Sequence, residues 1–281
     1  MNDMQVVEIK AKSALNRSGM VELDYAFNAY LGCAHGCRYC YAADITPGES
    51  AETWGDTVRV RVNIIELLQR EIKSMRRGLV GISTITDPYQ PVEAKYRLSR
   101  QAIFLLLANG FRVSIQTKSP LVLRDLDILR DRKGLDAGVS LATPDSQISR
   151  LIDRKSPLPE ARIRTMRELT RNSIKTWMFL GPIIPGINDS FDSIEALISV
   201  ASDLKIRVIY DLLNPYNGAK SMLGDSLGPA WISSMSGLDR RRWWERVEST
   251  IIRIARDYNV KCNSEASELS AETGLIYKPL F

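Results

Sequence analysis

Residues 28–43 read NAYLGCAHGCRYCYAA and hold three of the four cysteines in the chain. These are Cys33, Cys37 and Cys40, and the single histidine, His35, lies between the first two. Three neighbouring thiols cannot all pair as disulfides, whereas thiolates are soft ligands that favour zinc, copper(I) or iron–sulfur centres. A [4Fe–4S] cluster usually takes four cysteines, so three cysteines leave one iron open. We interpret that open iron as the functional site.

A structural zinc ion is the alternative for these cysteines, and it needs a fourth ligand. His35 lies inside the short loop between Cys33 and Cys37, so binding all three to one tetrahedral ion would strain the loop. Cys262 is distant in sequence, although the fold could bring it near. On this alternative the protein is a non-catalytic iron–sulfur or zinc protein with a structural or redox-sensing role.

The composition is that of an ordinary globular protein. Of 281 residues, 44% are hydrophobic and 25% are charged, and no apolar run reaches the length of a membrane span. Residues 1–12 lack the apolar core of a signal peptide, so we expect a cytoplasmic protein with reduced thiols and no membrane partner. The formal net charge of +5 favours an acidic partner such as nucleic acid, but only mildly, because charges of both signs are abundant.

Apolar runs and amphipathic segments alternate along residues 61–213, which predicts an α/β fold with a parallel sheet and right-handed crossovers. A first strand is predicted at 21–30, and further strands at 79–85, 111–116, 137–141, 176–180 and 207–213. Helices are predicted at 61–77, 99–109, 122–132, 159–172 and 190–204. Polar and Pro/Gly-rich segments follow the strands, where parallel barrels carry their active sites. The pattern leaves open whether the sheet is a doubly wound sheet or a partial or closed barrel.

The sequence pattern changes after residue 214. Residues 216–237 are rich in Gly, Ser and Asn and predict a loop over the barrel mouth, and residues 238–259 predict a long helix. This helix begins with three arginines followed by Trp243 and Trp244, a mixture that suits phosphate contact and base stacking. The interpretation we favour is an amphipathic helix whose tryptophans face the barrel and whose arginines face water.

The cysteine spacing, with Tyr39 just before the last cysteine, resembles the signature of the radical S-adenosylmethionine (radical SAM) enzymes. Segments 28–43, 86–93, 117–126, 154–157 and 182–189 further resemble motifs of the spore photoproduct lyase-like branch. The resemblance covers roughly residues 20–215 and implies a partial (β/α)6 TIM-like barrel, to which the sequence pattern adds a C-terminal helical extension. It implies a [4Fe–4S] cluster on Cys33, Cys37 and Cys40, with SAM bound to the open iron.

The resemblance also implies a reaction. An electron from a flavodoxin- or ferredoxin-type donor reduces the cluster, and SAM is split into methionine and a 5′-deoxyadenosyl radical. This radical abstracts hydrogen from a substrate, for which nucleic acid is one candidate. Contacts to SAM are implied for its amino group (Thr86, Asp87), its carboxylate or ribose (Lys118, Ser140, Arg154) and its adenine (Tyr39, Ile187, Asn188).

One departure from the branch concerns a further cysteine that spore photoproduct lyases use as a hydrogen-atom donor. This chain has Ser83 and Thr84 in that neighbourhood, so the resemblance does not predict repair of a thymine dimer. Cys262 is the spare cysteine, which we retain as a candidate donor or auxiliary ligand beside its simpler role as a small buried hydrophobe. We expect a lead-in over 1–27, a barrel over 28–215 and an extension over 216–281 that packs on the barrel.

Overall fold

The computed structural model describes residues 4–20, 22–49, 51–214 and 216–265. Its strands are β1 (Gln5–Ile9), β2 (Leu15–Arg17), β3 (Tyr25–Phe27), β4 (Tyr30–Leu31), β5 (Thr57–Arg61), β6 (Leu79–Ile82), β7 (Arg112–Thr117), β8 (Leu135–Ser140), β9 (Thr176–Ile183), β10 (Arg207–Leu212) and β11 (Cys262–Ser264). Its helices are α1 (Ala42–Ile45), α2 (Ile64–Glu71), α3 (Glu93–Tyr96), α4 (Leu98–Ala108), α5 (Leu126–Leu129), α6 (Ser146–Asp153), α7 (Pro159–Arg171), α8 (Phe191–Leu204), α9 (Asn217–Leu227), α10 (Pro229–Ser236) and α11 (Arg240–Asp257).

Eight strands form the main sheet in the order β11-β10-β9-β8-β7-β6-β3-β2. Every neighbouring pair from β3 to β11 is parallel, and β2 is antiparallel to β3. A small second sheet has the order β1-β5-β4. Strands β6 to β10 all line one central cavity, and β2 and β11 have no further partner strand among the described residues. The predicted partial (β/α)6 barrel is therefore confirmed.

Strand β7 illustrates how the sequence divides core from cavity. Val113 and Ile115 are fully buried in the main hydrophobic core, whereas Ser114 and Gln116 line the cavity. Side chains alternate between the two faces of a strand, so the apolar set packs under the helices and the polar set faces the barrel interior. The residues that follow each parallel strand then meet at one end of the barrel.

Several predicted elements differ from the structure. The strand predicted at 79–85 ends at Ile82, because Ser83 has a φ of +65° and the chain turns there. The helix predicted at 122–132 is instead a 3-10 helix (Pro120–Asp125) followed by the short α5. The Ser119 hydroxyl caps this 3-10 helix, and the fully buried Asp125 bonds to Arg100 and Arg124, which holds the segment in its tighter turn.

The strand predicted at 21–30 divides into β3 and β4, and residue 21 lies outside the described residues. Helix α6 was not predicted. Its signal is Asp145, whose side chain caps the helix by accepting hydrogen bonds from the N–H groups of Gln147 and Ile148.

The loop predicted at 216–237 is wrong, because α9 and α10 occupy this region. Gly224 lets these helices approach closely, since an added Cβ would lie 2.9 Å from the Ile232 side chain. In α11, Trp243 and Trp244 are buried while Arg241 and Arg242 are exposed, which confirms the amphipathic interpretation for these residues. Arg240 differs, because it is half-buried and donates to the Leu213 carbonyl at 2.9 Å. The buried tryptophans are not available for base stacking. None of the described helices combines the length and apolar character needed to cross a membrane. The domain division at 27 and 215 stays a prediction.

Candidate cofactor site

The three cysteines lie on a loop that follows β4 at the mouth of the barrel. Cys33 and Cys37 are buried and Cys40 is partly exposed. The loop turns at Gly32 and Gly36, whose φ angles are +80° and +59°. An added Cβ at Gly32 would lie 2.4 Å from the Thr57 carbonyl oxygen, so the backbone fits only without a side chain.

Gln90, which is fully buried, holds the cysteine loop from the segment that follows β6. Its amide donates to the Gly32 carbonyl (3.2 Å) and accepts from the Ala34 N–H (2.9 Å). The Thr86 hydroxyl donates to the same Gly32 carbonyl at 2.7 Å. The loop is therefore positioned before any ligand binds.

Burial is the main cause that raises the pKa of the thiols of Cys33 and Cys40 to about 12, and the neighbouring Asp87 (for Cys33) and Cys37 (for both) contribute to this rise. Burial also raises the pKa of Cys37. Three thiolates held together here need a cation to compensate them, and the irons of a cluster supply that charge. Among the described residues, no three Cys, His, Asp or Glu side chains converge on a single metal position. A cube-shaped cluster needs no such convergence, because each thiolate binds a different iron, so these residues fit a [4Fe–4S] cluster better than one zinc ion.

A buried ion pair lies behind the cysteine loop. Arg162 Nη2 is 2.6 Å from Asp153 Oδ2, and both side chains are almost fully inaccessible to water. Arg162 also donates to the Ser140 carbonyl at 3.2 Å, and the Tyr39 hydroxyl donates to Asp153. Burial raises the pKa of Asp153, but Arg162 and Lys118 outweigh it, so the pKa lies below its usual value. The pair thus fixes Tyr39 between two of the cysteines.

Cys37 has a second polar neighbour on the same side. Its sulfur lies 3.3 Å from the Ser156 hydroxyl oxygen, and Ser156 is itself buried. When Cys37 is a thiolate, it is the acceptor and Ser156 is the donor. Hydrogen bonds of this kind orient metal ligands and tune the metal centre.

Asp87 connects the cysteine loop to the end of β7. Its carboxylate accepts from the Thr117 hydroxyl (2.6 Å) and from the Lys118 N–H (2.8 Å), and His35 Nδ1 lies 3.4 Å away. Burial raises the pKa of Asp87, but His35, Thr117 and Lys118 together lower it to about 2. Asp87 is therefore ionised, and His35 faces this carboxylate.

A cavity of about 420 Å³ opens in front of the cysteines. It is lined by all three cysteines and by five of the eight residues predicted to contact SAM, namely Tyr39, Thr86, Asp87, Lys118 and Ser140. Thr86 and Asp87 lie in the loop after β6 rather than on the strand. Lys118 Nζ lies 5.5 Å from the centre of the Tyr39 ring, which places a cation near the cysteine loop.

The other three predicted SAM contacts do not line the cavity. Arg154 donates to the Trp54 carbonyl at 2.8 Å and lies 3.5 Å from Asp56. Asn188 donates to the carbonyls of Ala142 (2.6 Å) and Pro182 (3.0 Å), which organises the loop after β9.

Ile187 packs with Tyr39 in a small hydrophobic cluster. A direct contact of Arg154, Ile187 or Asn188 with SAM stays a prediction. Cys262 lies in β11 opposite Val208, packs against the main core and is not among the residues that line the cavity.

Several residues of the site were missed from the sequence. Gln90 and Ser156 lie within segments singled out above and Asp153 borders one of them, but nothing in their spacing predicts their partners. Arg162 carried a signal: it shares the buried face of α7 with Met166 and Leu169, and a charge within an apolar stripe predicts a buried partner.

Comparisons with known proteins agree with this geometry. The sequence profile described as "Radical SAM superfamily" matches residues 27–198. "Uncharacterized protein MJ0683" of Methanocaldococcus jannaschii is 32% identical over 187 residues, which cover 66% of this chain and 70% of that protein. "Uncharacterized protein Rv2578c" of Mycobacterium tuberculosis is 32% identical over 205 residues, which cover 68% of this chain and 59% of that longer protein.

Solved structures show the same fold. Spore photoproduct lyase complexed with dinucleoside spore photoproduct aligns with a TM-score of 0.69 and 16% identity, over 92% of this chain and 81% of that chain. A substituted spore photoproduct lyase with bound AdoMet (SAM) and the dinucleoside gives the same values. Streptococcus suis SuiB bound to S-adenosylmethionine aligns with a TM-score of 0.55 and 14% identity, over 96% of this chain and 52% of that chain. With a family profile matched over more than half of its length, this chain belongs to the radical SAM superfamily, a family of enzymes whose cofactors are a [4Fe–4S] cluster and SAM.

Proposed function

We propose that this protein cleaves SAM reductively and uses the resulting radical to abstract hydrogen from a substrate in the barrel mouth. The observation that carries this proposal is the set of three neighbouring thiols, two of them buried, that line a cavity together with Asp87 and Lys118. Once Cys33, Cys37 and Cys40 hold the cluster, its reduced form would supply the one electron needed to split SAM into methionine and a 5′-deoxyadenosyl radical. Transfer of a hydrogen atom from the substrate would then give 5′-deoxyadenosine and a substrate radical.

The chain's own residues bind and position the reactants. Cys33, Cys37 and Cys40 would hold three irons, and Gln90 fixes the loop that carries them. Lys118 would attract the SAM carboxylate, because an ammonium group in a partly enclosed cavity interacts strongly with an anion.

Tyr39, Thr86, Asp87 and Ser140 would complete the SAM site, since they line the same cavity. Arg154 and Asn188 bond to backbone carbonyls of neighbouring loops, so we expect them to act by shaping the site.

The first experiment measures 5′-deoxyadenosine after anaerobic reconstitution, with dithionite standing in for the proposed flavodoxin- or ferredoxin-type donor. We expect the wild-type protein to bind about four irons and four sulfides and to form the product. Cys37→Ser should abolish it, and Cys262→Ala should retain it, because Cys262 packs away from the cavity. Wild-type protein with a full cluster and no product would overturn the proposal. One zinc without sulfide would instead support the structural alternative.

Nucleic acid is the substrate class we propose to test first. The net charge of +5 supports it, and the spore photoproduct lyase with the same fold was solved with a bound dinucleoside. Titration of an oligonucleotide at several salt concentrations should give an affinity that falls as salt rises, because phosphate contacts release counterions. Absence of binding at low salt would direct the search to small metabolites or peptides.

A further inference from the structure

Trp54 lines the cavity beside the cysteine loop and carries a buried indole N–H group. Its side chain is only 1% exposed, and its indole Nε1 has no hydrogen-bond partner among the described residues. Leaving such a donor buried and unpaired destabilises the folded protein. An orphaned group of this kind in a folded protein calls for a partner, such as a bound ligand or ion.

The position of Trp54 indicates what that partner is. Trp54 and Cys33 belong to one small hydrophobic cluster, against which Cys40 packs, and all three line the same cavity. The backbone beside Trp54 is fixed, because its carbonyl accepts from Arg154 and an added Cβ at the next residue, Gly55, would lie 2.8 Å from the Gly36 Cα. The indole is therefore held against the cysteine loop.

We propose that the Trp54 N–H donates a hydrogen bond to a sulfur of the [4Fe–4S] cluster and so raises its reduction potential. This inference rests on the proposed function only in requiring the cluster, and not SAM cleavage. Reduction adds negative charge to the cluster, and a fixed N–H dipole stabilises that charge. The neighbouring Ala42, Ala43 and Met222 are buried and apolar, which strengthens such a bond.

Trp54→Phe and Trp244→Phe form a matched pair for testing this role. Trp244 is also 1% exposed and also has an unpaired Nε1 among the described residues, but it packs in the main core beside Tyr210 and Trp243. Midpoint potentials are measured by EPR-monitored redox titration of the SAM-free cluster. We expect a more negative potential in Trp54→Phe and an unchanged potential in Trp244→Phe. Equal potentials in Trp54→Phe and wild type, or equal shifts in both variants, would overturn the proposal.

A second measurement on the wild-type protein does not depend on how a variant folds. Electron–nuclear double resonance of the reduced cluster, in protein labelled with 15N at the indole nitrogens, should detect a coupled 15N and an exchangeable proton. Both signals should persist in Trp244→Phe, and their absence from wild type would refute the contact. Because SAM is left out, failure of this inference and failure of SAM cleavage give different results.

Discussion

Asp153 and Arg162 carry opposite charges where water does not reach. Charges in such a place are tolerated only while paired, because desolvation of a single ion costs several kcal/mol. This pair also holds the Tyr39 hydroxyl and the Ser140 carbonyl, which lie at two sides of the cavity. Single-residue changes here should therefore affect stability and site geometry together.

Asp153→Asn should leave the Arg162 guanidinium buried without a counter-charge and lower the free energy of unfolding by about 3–5 kcal/mol. Urea denaturation measures this loss. Asp127→Asn is the matched control. The Asp127 carboxylate is largely exposed, so its ion pair with Arg100 should contribute little to the free energy of unfolding. Equal losses in the two variants would contradict the ascribed role of burial.

The pH dependence of stability gives a separate prediction for Asp153. Its pKa is lower in the folded protein than in the unfolded chain, where it is about 3.9. The stabilisation is therefore present above the unfolded pKa and is lost as pH falls through the folded pKa. Below about pH 4, wild type should lose stability more steeply than Asp153→Asn. Parallel stability curves for the two proteins would show that Asp153 is not the group responsible.

At the scale of elements, helix α9 covers the cysteine loop although it lies far along the chain. The Asp44 carboxylate accepts a hydrogen bond from the Gly218 N–H at 2.8 Å, at the start of α9. Further along the helix, Met222 is buried in the same small hydrophobic cluster as Cys33 and Trp54. The helix thus acts as an apolar cover for the cysteine loop, and the Asp44 carboxylate anchors its first turn.

Asp44→Ala should loosen this cover by removing an acceptor worth about 1 kcal/mol at a helix N-terminus. We expect faster amide exchange over 217–227 and faster loss of the cluster in air. Asp225→Ala, at an exposed position on the same helix, should change neither rate. If both variants behave like wild type, α9 does not depend on this anchor.

Two glycines separate backbone strain from steric clash. Gly55 and Gly110 both have positive φ angles. An added Cβ at Gly55 would lie 2.8 Å from the Gly36 Cα, whereas an added Cβ at Gly110 would have no neighbour within 4 Å. Gly110→Ala should cost about 1–2 kcal/mol from strain alone. Gly55→Ala should cost about 1–3 kcal/mol more and reduce the iron bound per chain. Denaturation measures the free energy of unfolding, and iron analysis measures the iron bound per chain. Equal values of both quantities in the two variants would contradict this prediction.

The sequence predicts the barrel better than it predicts the elements around the site. Apolar runs predict strands β7 to β10, and the cysteine spacing identifies the loop that binds the cofactor. The start of α9 is stabilised by Asp44, which lies 174 residues from Gly218 in the sequence. Local composition does not reveal this contact, so the Gly- and Ser-rich stretch predicts a loop where the structure has a helix. Likewise, the pairing of Arg162 with Asp153 and the orphaned indole of Trp54 follow from tertiary packing, which local patterns do not encode.

At the scale of the whole molecule, Cys33 and the main core belong to different hydrophobic clusters, although the neighbouring Ala34 packs in the main core. Cys33 and Trp54 belong to a small cluster, whereas the sheet and its helices share a much larger one. The barrel buries its own apolar surface and does not need the thiols for that purpose. The fold should therefore survive loss of the cofactor.

Removing iron with a chelator under anaerobic conditions tests this separation. We expect the far-ultraviolet circular dichroism to be retained, while amide exchange increases over 32–43 and hardly changes in β7 and β8. The reason is that ligand loss removes stabilisation only from the segment that binds the ligand. Unfolding of the whole protein on chelation would mean that cluster and core form one cooperative unit.

The contacts around the cysteine loop also dictate an order of events during synthesis. The thiols at positions 33–40 emerge early, but the Ser156 hydroxyl that meets Cys37 lies 119 residues later. The helix that shields the loop follows later still, starting at Asn217. A nascent chain therefore exposes three unshielded thiols until α9 has been translated. Iron and sulfide can be inserted into a shielded site only after that point. Cofactor insertion is therefore expected to follow the folding of the barrel.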